Sequence, residues 1–118
     1  MHMCYYFIKN TRLVFWMDLS ELDVLSMLIA GVCHDLGHDG YTNGYHVNVI
    51  SSRAIDCNDI STQESYHASE MYRILTQDEY KFIDQLSRQE QMHFRKRVVS
   101  LILATDMAHH NAKLAQMK

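Results

Sequence analysis

Residues 19–35 read LSELDVLSMLIAGVCHD, and this stretch decides the fold class. Ser20 and Asp23 have the spacing of a capping box, with Asp in place of the usual Glu or Gln. The apolar residues that follow repeat at the spacing of one helix face. They are Leu22, Leu25, Ile29 and Val32. The stretch therefore predicts a helix that runs directly into the polar pair His34 and Asp35.

The same helix-start signal occurs at three further places, each ahead of apolar residues at helical spacing. These pairs are Ser61 with Glu64, Thr76 with Glu79, and Ser87 with Glu90. The pattern after Ser87 is long enough to predict one helix from residue 88 to about residue 116. Residues 3–16 are also predicted to be helical. Because the 118 residues include no proline, the strongest helix breaker, we predict an all-α fold.

The middle of the chain has a different composition. Residues 36–60 hold three of the four glycines and many Asn and Asp residues. This composition is typical of a loop, and we predict one short helix within it, near residues 45–54. Polar loops held between helices commonly carry functional residues, so the loop is a candidate site.

Charge and cysteine content restrict the class of partner and the compartment. The formal net charge is −3, and the one dense basic run, Arg95 to Arg97, spreads around a helix. We therefore predict no nucleic-acid polymer as a partner. Three cysteines without CxxC spacing indicate free thiols in a reducing compartment. With no apolar run of about 18 residues and no signal-peptide pattern at the start, we predict no membrane segment and an intracellular, cytoplasmic location.

The densest polar cluster is HDLGHDG at residues 34–40. Imidazole and carboxylate groups at the end of an apolar helix are costly to bury unless they are paired or bind a metal. His34 and His38 are four residues apart and share a face if the helix continues. Metal binding and simple capping of helix carbonyls both remain open at this point. A zinc protease would need Glu directly after the first His, where this chain has Asp35.

Two further segments carry polar residues at positions of interest. Glu64 and His67 are three residues apart on a predicted helix and point the same way. Glu64 can also complete a capping box with Ser61, and the two roles can coexist. Asp106 falls inside the predicted long apolar helix, where it pairs with a histidine or a metal-bound water, or faces solvent. His109 and His110 are predicted to be exposed.

Three motifs in order resemble a known family. They are HDLGHDGYTN at residues 34–43, CNDISTQESYH at residues 57–67 and LATD at residues 103–106. The class I 3′,5′-cyclic nucleotide phosphodiesterases have HDxxHxGxxN, YNDxSxLExHH and LATD with fitting separations. The chain resembles this family over nearly its whole length. The resemblance implies the multi-helix, HD-type catalytic domain of that family.

The resemblance also implies a two-metal site. His34 would ligate a tightly held metal, usually zinc, and Asp35 would bridge it to a second metal, usually magnesium or manganese. His38, Glu64 and Thr105 would hold the waters of the second metal as catalytic residues. Glu64 would also help to polarise the bridging hydroxide.

Further residues are assigned less directly by the resemblance. Asn43 and His67 would line or brace the substrate pocket. Asp106 would lie behind the metal-binding residues, with its role left open. The chain departs from the family pattern at three positions, where Cys57 replaces Tyr, Gln63 replaces Leu and Tyr66 replaces the first His of the pair. These departures concern local packing and phosphate contacts more than metal binding.

Two parts of the family's catalytic domain are not found in this sequence. The HNxxHxxDV motif, which supplies the proton-donating His and another metal ligand, is absent. The later helices, which bring an Asp ligand and the purine-binding glutamine, would lie beyond Lys118. We therefore predict that residues 1–118 form a partial catalytic domain that lacks the N-terminal HNxxH segment and the C-terminal helices.

The function implied by the resemblance is metal-dependent hydrolysis of the small molecules cAMP or cGMP to their 5′-monophosphates. One alternative is another HD-type phosphohydrolase that acts on nucleotides or cyclic dinucleotides, and the segments of Glu64 and Thr105 count against it. A second alternative is an inactive truncated fragment. For the isolated chain, inactivity is the prediction.

Overall fold

A computed structural model of the chain describes residues 2–80 and 82–108. The helices are α1 (His2–Asn10), α2 (Leu13–Trp16), α3 (Glu21–Cys33), α4 (Asn43–Asn48), α5 (Ser52–Cys57), α6 (Thr62–Leu75) and α7 (Arg88–Leu103), with a 3₁₀ helix at Phe82–Gln85 between α6 and α7. No strand occurs within these described ranges. The predicted all-α fold is therefore confirmed. None of the described helices is long and apolar enough to cross a membrane.

Helices α3, α6 and α7 pack together and form the core. Phe94, Val98 and Ile102 lie four residues apart on α7 and are fully buried. They face Ala30 of α3 and the buried apolar residues of α6, which are Ala68, Met71 and Leu75. Each large side chain buried in this way stabilises the fold by about 1.5–3 kcal/mol, so α7 holds the other two helices together.

Two of the predicted capping boxes are confirmed. The Ser20 hydroxyl accepts from the Asp23 backbone N–H, and the Asp23 carboxylate accepts from the Ser20 N–H, both at 3.1 Å. Ser87 and Glu90 form the same reciprocal pair at the start of α7. Asp23 also accepts hydrogen bonds of 2.9 Å from His93 and Arg97. This carboxylate therefore starts α3 and ties it to α7.

The other two predicted helix starts have different outcomes: the start at Ser61 is confirmed without its capping box, and the start at Thr76 is wrong. Ser61 precedes α6 but makes no side-chain cap, because its backbone is left-handed (φ 46°) and its hydroxyl donates to Asp106. Thr76 ends α6, since its N–H still bonds to the carbonyl of Tyr72. A turn and the 3₁₀ helix follow where a helix from Thr76 was predicted. This short connection turns the chain back so that α7 can pack on α6.

The predicted long helix over residues 88–116 is also wrong. Helix α7 ends at Leu103, and Asp106 lies after it instead of inside it. The Asp106 carboxylate accepts from the Ser61 hydroxyl at 2.7 Å and from the Ala108 N–H at 2.9 Å. A side chain that bonds to nearby backbone in this way competes with helix continuation. The prediction for His109 and His110 lies outside the described residues.

Two predicted segments each contain two helices in place of one. Residues 3–16 form α1 and α2 in place of one helix, with a left-handed residue, Arg12 (φ 52°), at the break. The loop over residues 36–60 contains two short helices, α4 and α5, in place of one. Thr42 and Ser51 cap these two helices with their side chains. The loop is therefore more ordered than its composition indicates.

Candidate metal and catalytic site

The site begins where α3 ends. His34 is the C-cap of α3, and a turn follows, so His34 and His38 do not lie on one continuous helix. The Nδ1 atom of His34 is 3.2 Å from the carbonyl oxygen of Gly31, which directs Nε2 outward. This Nε2 atom lies 3.1 Å from Oδ2 of Asp35, and 44% and 66% of the two side chains are exposed. An imidazole and a carboxylate therefore converge at an accessible point.

The spacing of these two atoms fits a shared metal ion. Ligand atoms lie about 2.1 Å from zinc, magnesium or manganese, so two neighbouring ligands about 90° apart are separated by about 3 Å. The backbone carbonyl behind His34 fixes the ring in the orientation found in metal sites. In the described part of the chain, no three His, Cys, Asp or Glu side chains converge on one metal position. His34 and Asp35 thus fit as two members of a larger ligand set.

His38 lies in the turn after α3. Its Nδ1 atom accepts a hydrogen bond of 2.9 Å from the Gly40 N–H. A neutral ring that accepts at Nδ1 carries its proton on Nε2, so His38 presents a donor. The ring stacks on that of His67, with centroids 5.6 Å apart and planes 27° apart. The turn and α6 therefore meet at this pair.

His67 projects from α6 and is 1% exposed. Its Nδ1 atom donates to the carbonyl of Leu36 over 2.8 Å. Burial lowers the pKa of His67, although the Leu36 hydrogen bond and the charges of Asp35 and Glu64 act in the opposite direction. The ring is therefore neutral at neutral pH. It ties α6 to the turn that carries His38.

Asn43, the first residue of α4, lies beside the start of α6. Its Oδ1 atom accepts from the Gln63 backbone N–H at 2.8 Å, and its Nδ2 atom donates to Glu64 Oε2 at 2.9 Å. Asn43 thus caps α6 from outside that helix, a task that Ser61 does not perform. Glu64 is not part of a capping box. The predicted common direction of Glu64 and His67 is in agreement with their positions on α6.

Thr105 follows the end of α7, and its hydroxyl donates to the carbonyl of Ile102 over 2.7 Å. The Thr105 hydroxyl proton is therefore engaged in a hydrogen bond within the same segment. The neighbouring Asp106 is 7% exposed and binds Ser61, the residue before α6. This contact brings the Thr105 segment next to the helix that carries Glu64 and His67.

Sequence reasoning missed a second polar cluster beside these residues. The Asp39 carboxylate accepts from Gln63 Nε2 (2.7 Å), from the Tyr41 N–H (3.2 Å) and from His46 Nε2 (3.3 Å), and it pairs with Arg53 (3.1 Å). Burial raises the pKa of Asp39, but these hydrogen bonds and the Arg53 charge outweigh it and lower the pKa to about 2. The available signal was Gln63 itself, a polar residue where the family pattern has Leu.

Comparison with known proteins shows the family of the chain. The family model described as 3′5′-cyclic nucleotide phosphodiesterase matches residues 1–118. The chain is 36% identical, over its full 118 residues, to the dual specificity calcium/calmodulin-dependent 3′,5′-cyclic nucleotide phosphodiesterase 1 of Drosophila melanogaster. It is 39% identical over 92 residues, or 78% of the chain, to the 3′,5′-cyclic-nucleotide phosphodiesterase regA of Dictyostelium discoideum.

The fold of the chain is also similar to a solved structure. The phosphodiesterase domain of the RhoPDE fusion protein from the choanoflagellate Salpingoeca rosetta matches 84% of the chain with a TM-score of 0.80 and 37% identity. The chain spans 31% of that domain, 14% of the Drosophila relative and 12% of the Dictyostelium relative. The family match implies dependence on divalent metal ions. Its motifs, its helical fold and these matches together establish that the chain belongs to the 3′5′-cyclic nucleotide phosphodiesterase family.

Proposed function

We propose that this chain contributes the water-activating side of a catalytic domain that hydrolyses cAMP, cGMP or both to 5′-monophosphates. The carrying observation is the 3.1 Å approach of His34 Nε2 to Asp35 Oδ2 at an accessible point beside His38 and His67. Residues 1–118 form part of that domain in this proposal. The remaining metal ligands and the acid that protonates the departing 3′ oxygen come from outside this chain.

His34 and Asp35 would hold the metal ions in this proposal. His34 suits zinc, and Asp35 has a second oxygen with which to share magnesium or manganese. When bound, the two ions polarise the phosphate and make a water molecule a stronger nucleophile. The carbonyl of Gly31 keeps His34 in place for this task, because it accepts from the ring nitrogen that does not face Asp35.

Three further side chains act on water in the proposed reaction. His38 donates from Nε2, because its Nδ1 atom already accepts from the Gly40 N–H. Glu64 accepts a hydrogen bond from water at Oε1, since its Oε2 atom already accepts from Asn43. Thr105 accepts a hydrogen bond from water at its hydroxyl oxygen, because the hydroxyl group already donates to the Ile102 carbonyl. Asn43 and His67 brace the pocket by fixing Glu64 and the His38 turn.

The proposal also covers the cellular location of the protein and its small-molecule partner. Cys4, Cys33 and Cys57 are free thiols, which supports an intracellular, cytoplasmic location. The partner is a small cyclic nucleotide that binds over the metal pair.

A chimera tests the proposed function. The matching segment of the Salpingoeca rosetta phosphodiesterase domain is replaced by this chain, and hydrolysis of cAMP and of cGMP is measured with zinc and magnesium present. We expect turnover of at least one nucleotide, and we expect Asp35→Asn to abolish it with an unchanged melting temperature. Glu70→Gln, which alters a carboxylate on α6 that pairs with Arg73, is the matched control. A folded chimera that hydrolyses neither nucleotide contradicts the proposal.

A further inference from the structure

Arg53 of α5 lies at the centre of the polar cluster that sequence reasoning missed. Its guanidinium donates to the side-chain oxygen of Gln63 and to the carbonyl of Gly37, and it pairs with Asp39. Only 18% of its side chain is exposed. Arg53 therefore connects the turn that holds Gly37 and Asp39 to the start of α6.

The guanidinium also lies on an aromatic ring of α6. Its carbon atom is 3.6 Å from the centroid of the Tyr66 ring, which is a close cation–π contact. The same ring covers Gly37, because a Cβ atom added there would lie 3.1 Å from a ring carbon. Gly37 also has a left-handed backbone (φ +71°), so no other residue fits this turn well. Tyr66 projects from α6 and thus contacts both Arg53 and the turn.

The buried amide of Gln63 completes the connection. Gln63 is 3% exposed, and its oxygen accepts from Arg53 while its nitrogen donates to Asp39 and to the carbonyl of Tyr41. Both ends of the amide are therefore occupied. A buried amide with this many partners is costly to place unless all of its partners are present.

Two of these residues stand where the family pattern has something else. Gln63 takes the place of Leu, and Tyr66 takes the place of the first His of the pair. Both side chains contact Arg53, so the two departures share one partner. If residue 53 were apolar, the Gln63 side-chain oxygen would lose a hydrogen-bond donor and the Tyr66 ring would lose its cation–π partner.

We propose that Arg53 is a positioning residue, which with Gln63 and Tyr66 forms one interdependent unit that sets the position of His38. The unit holds Gly37 and Asp39, the residues on either side of His38, against α6. Its part in catalysis rests on the proposed function, but its part in placing the turn does not. Removal of one member leaves a largely buried charge or amide without its partner. Joint replacement by apolar residues removes that mismatch between Arg53 and Gln63, and the Asp39 carboxylate keeps the Tyr41 N–H and His46 as partners.

A double-mutant cycle on the 118-residue chain tests the interdependence. Arg53→Leu and Gln63→Leu are made singly and together, and unfolding is followed in denaturant. We expect each single change to raise the unfolding equilibrium constant by about tenfold or more. The combined effect should be well below the product of the two single effects. Arg73→Leu, at an exposed arginine of α6 that pairs with Glu70, is the control and should combine with Gln63→Leu as a simple product.

A spectroscopic measurement tests the positioning role separately. Nitrogen-15 NMR of the histidine rings at about pH 8 reports which nitrogen carries the proton. We expect His38 to carry it on Nε2 in the parent chain and to lose this preference in Arg53→Leu. His67, which donates to Leu36, should keep its Nδ1 proton in both. A general loss of stability would not change His38 alone, and Arg53→Lys should not restore its signal because lysine lacks the planar fork.

The proposal is overturned if the two leucine changes combine as a simple product, or if the His38 signals are the same in the parent and in Arg53→Leu. If the chain does not fold alone, the same cycle and the same spectra are recorded in the Salpingoeca chimera. An inactive but folded chimera contradicts the proposed function and leaves these two measurements valid. In an active chimera, Arg53→Leu should lower kcat about tenfold with little change in KM, because it displaces His38 without altering the metal pair.

Discussion

Asn43 and Glu64 are 21 positions apart in the chain, and the Asn43 amide donates to the Glu64 carboxylate over 2.9 Å. This bond and the missing cap at Ser61 exclude one of the two roles that the sequence allowed for Glu64, the capping box. The carboxylate bonds to α4 rather than back to the backbone of Ser61. Glu64 is therefore free of any capping duty, and a change in its charge tests its chemical role directly.

Glu64→Gln in the chimera should lower the hydrolysis rate by about 10–100-fold, the usual range for residues that support metal-bound groups. The glutamine oxygen can still accept from Asn43, so the melting temperature should remain unchanged. The rate is measured at saturating metal, beside Glu70→Gln on the same helix. A near-normal rate with unchanged melting would remove Glu64 from the proposed catalytic residues.

Two substitutions of Asn43 separate its two bonds. Asn43→Ala removes the acceptor for the Gln63 N–H, and the loss of such a cap should cost about 0.5–2 kcal/mol in the free energy of unfolding. Asn43→Asp keeps that acceptor but places a second carboxylate against Glu64. Denaturant unfolding of the chain at pH 8 should therefore show a loss of stability in both variants, from the missing cap in one and from charge repulsion in the other.

Salt distinguishes the two causes. Added salt screens the repulsion between Glu64 and the carboxylate introduced by Asn43→Asp, so stability should recover in that variant and not in Asn43→Ala. Equal stability of both variants with the parent chain would show that Asn43 does not cap α6.

The sequence predicted those features whose partners are local. The capping boxes of Ser20 and Ser87 were correct because each partner is three residues away on the same helix. The capping box predicted at Ser61 did not form, because the Ser61 hydroxyl binds Asp106, 45 positions later. A local pattern cannot show that a distant side chain takes the same hydroxyl.

The residues of the candidate site also divide into local contacts, which the sequence shows, and distant contacts, which it does not. His34 and Asp35 are neighbours, so the proposed metal-binding pair was visible in one motif. The Arg53 unit joins α5, the His38 turn and α6, and each of its members has an ordinary surface explanation when read alone. The end of α7 was missed for a related reason, because the apolar pattern continues past Leu103 while Asp106 bonds to the distant Ser61 and to the nearby Ala108 N–H in place of continuing the helix.

Asp23 should make the chain sensitive to acid. Hydrogen bonds from Ser20 and His93, together with the charge of Arg97, hold the pKa of Asp23 well below its usual range despite the opposing effect of burial. Because the folded pKa lies below the unfolded value of about 3.9, the carboxylate stabilises the fold above about pH 4. This contribution is lost progressively as the pH falls below about 4 toward the lower folded pKa.

Asp23→Asn should therefore cost about 1–2 kcal/mol at pH 7, since the asparagine oxygen can still accept from the Ser20 N–H but His93 and Arg97 lose their ionic partner. Both partners are about half exposed, which limits the loss. The difference from the parent chain should shrink between about pH 4 and pH 2 in thermal unfolding. Asp56→Asn, at an exposed position of α5, is the control and should show no such dependence. A difference that stays constant with pH would contradict the ionic role of Asp23.

The isolated chain of 118 residues should bind zinc weakly and hydrolyse neither cAMP nor cGMP. Among its described residues, only His34 and Asp35 approach each other as candidate ligands at the accessible end of α3, whereas a closed zinc site uses about four.

Calorimetry with zinc should show weak binding that Asp35→Asn reduces by about tenfold or more, while His93→Gln, which alters a partner of Asp23 away from the site, should leave it unchanged. Large aromatic side chains of α2 are exposed, Phe15 at 78% and Trp16 at 75%, so the melt should be broad. Turnover of either nucleotide by the isolated chain, or tight zinc binding that survives Asp35→Asn, would show that the ligand set is complete without other segments or lies elsewhere.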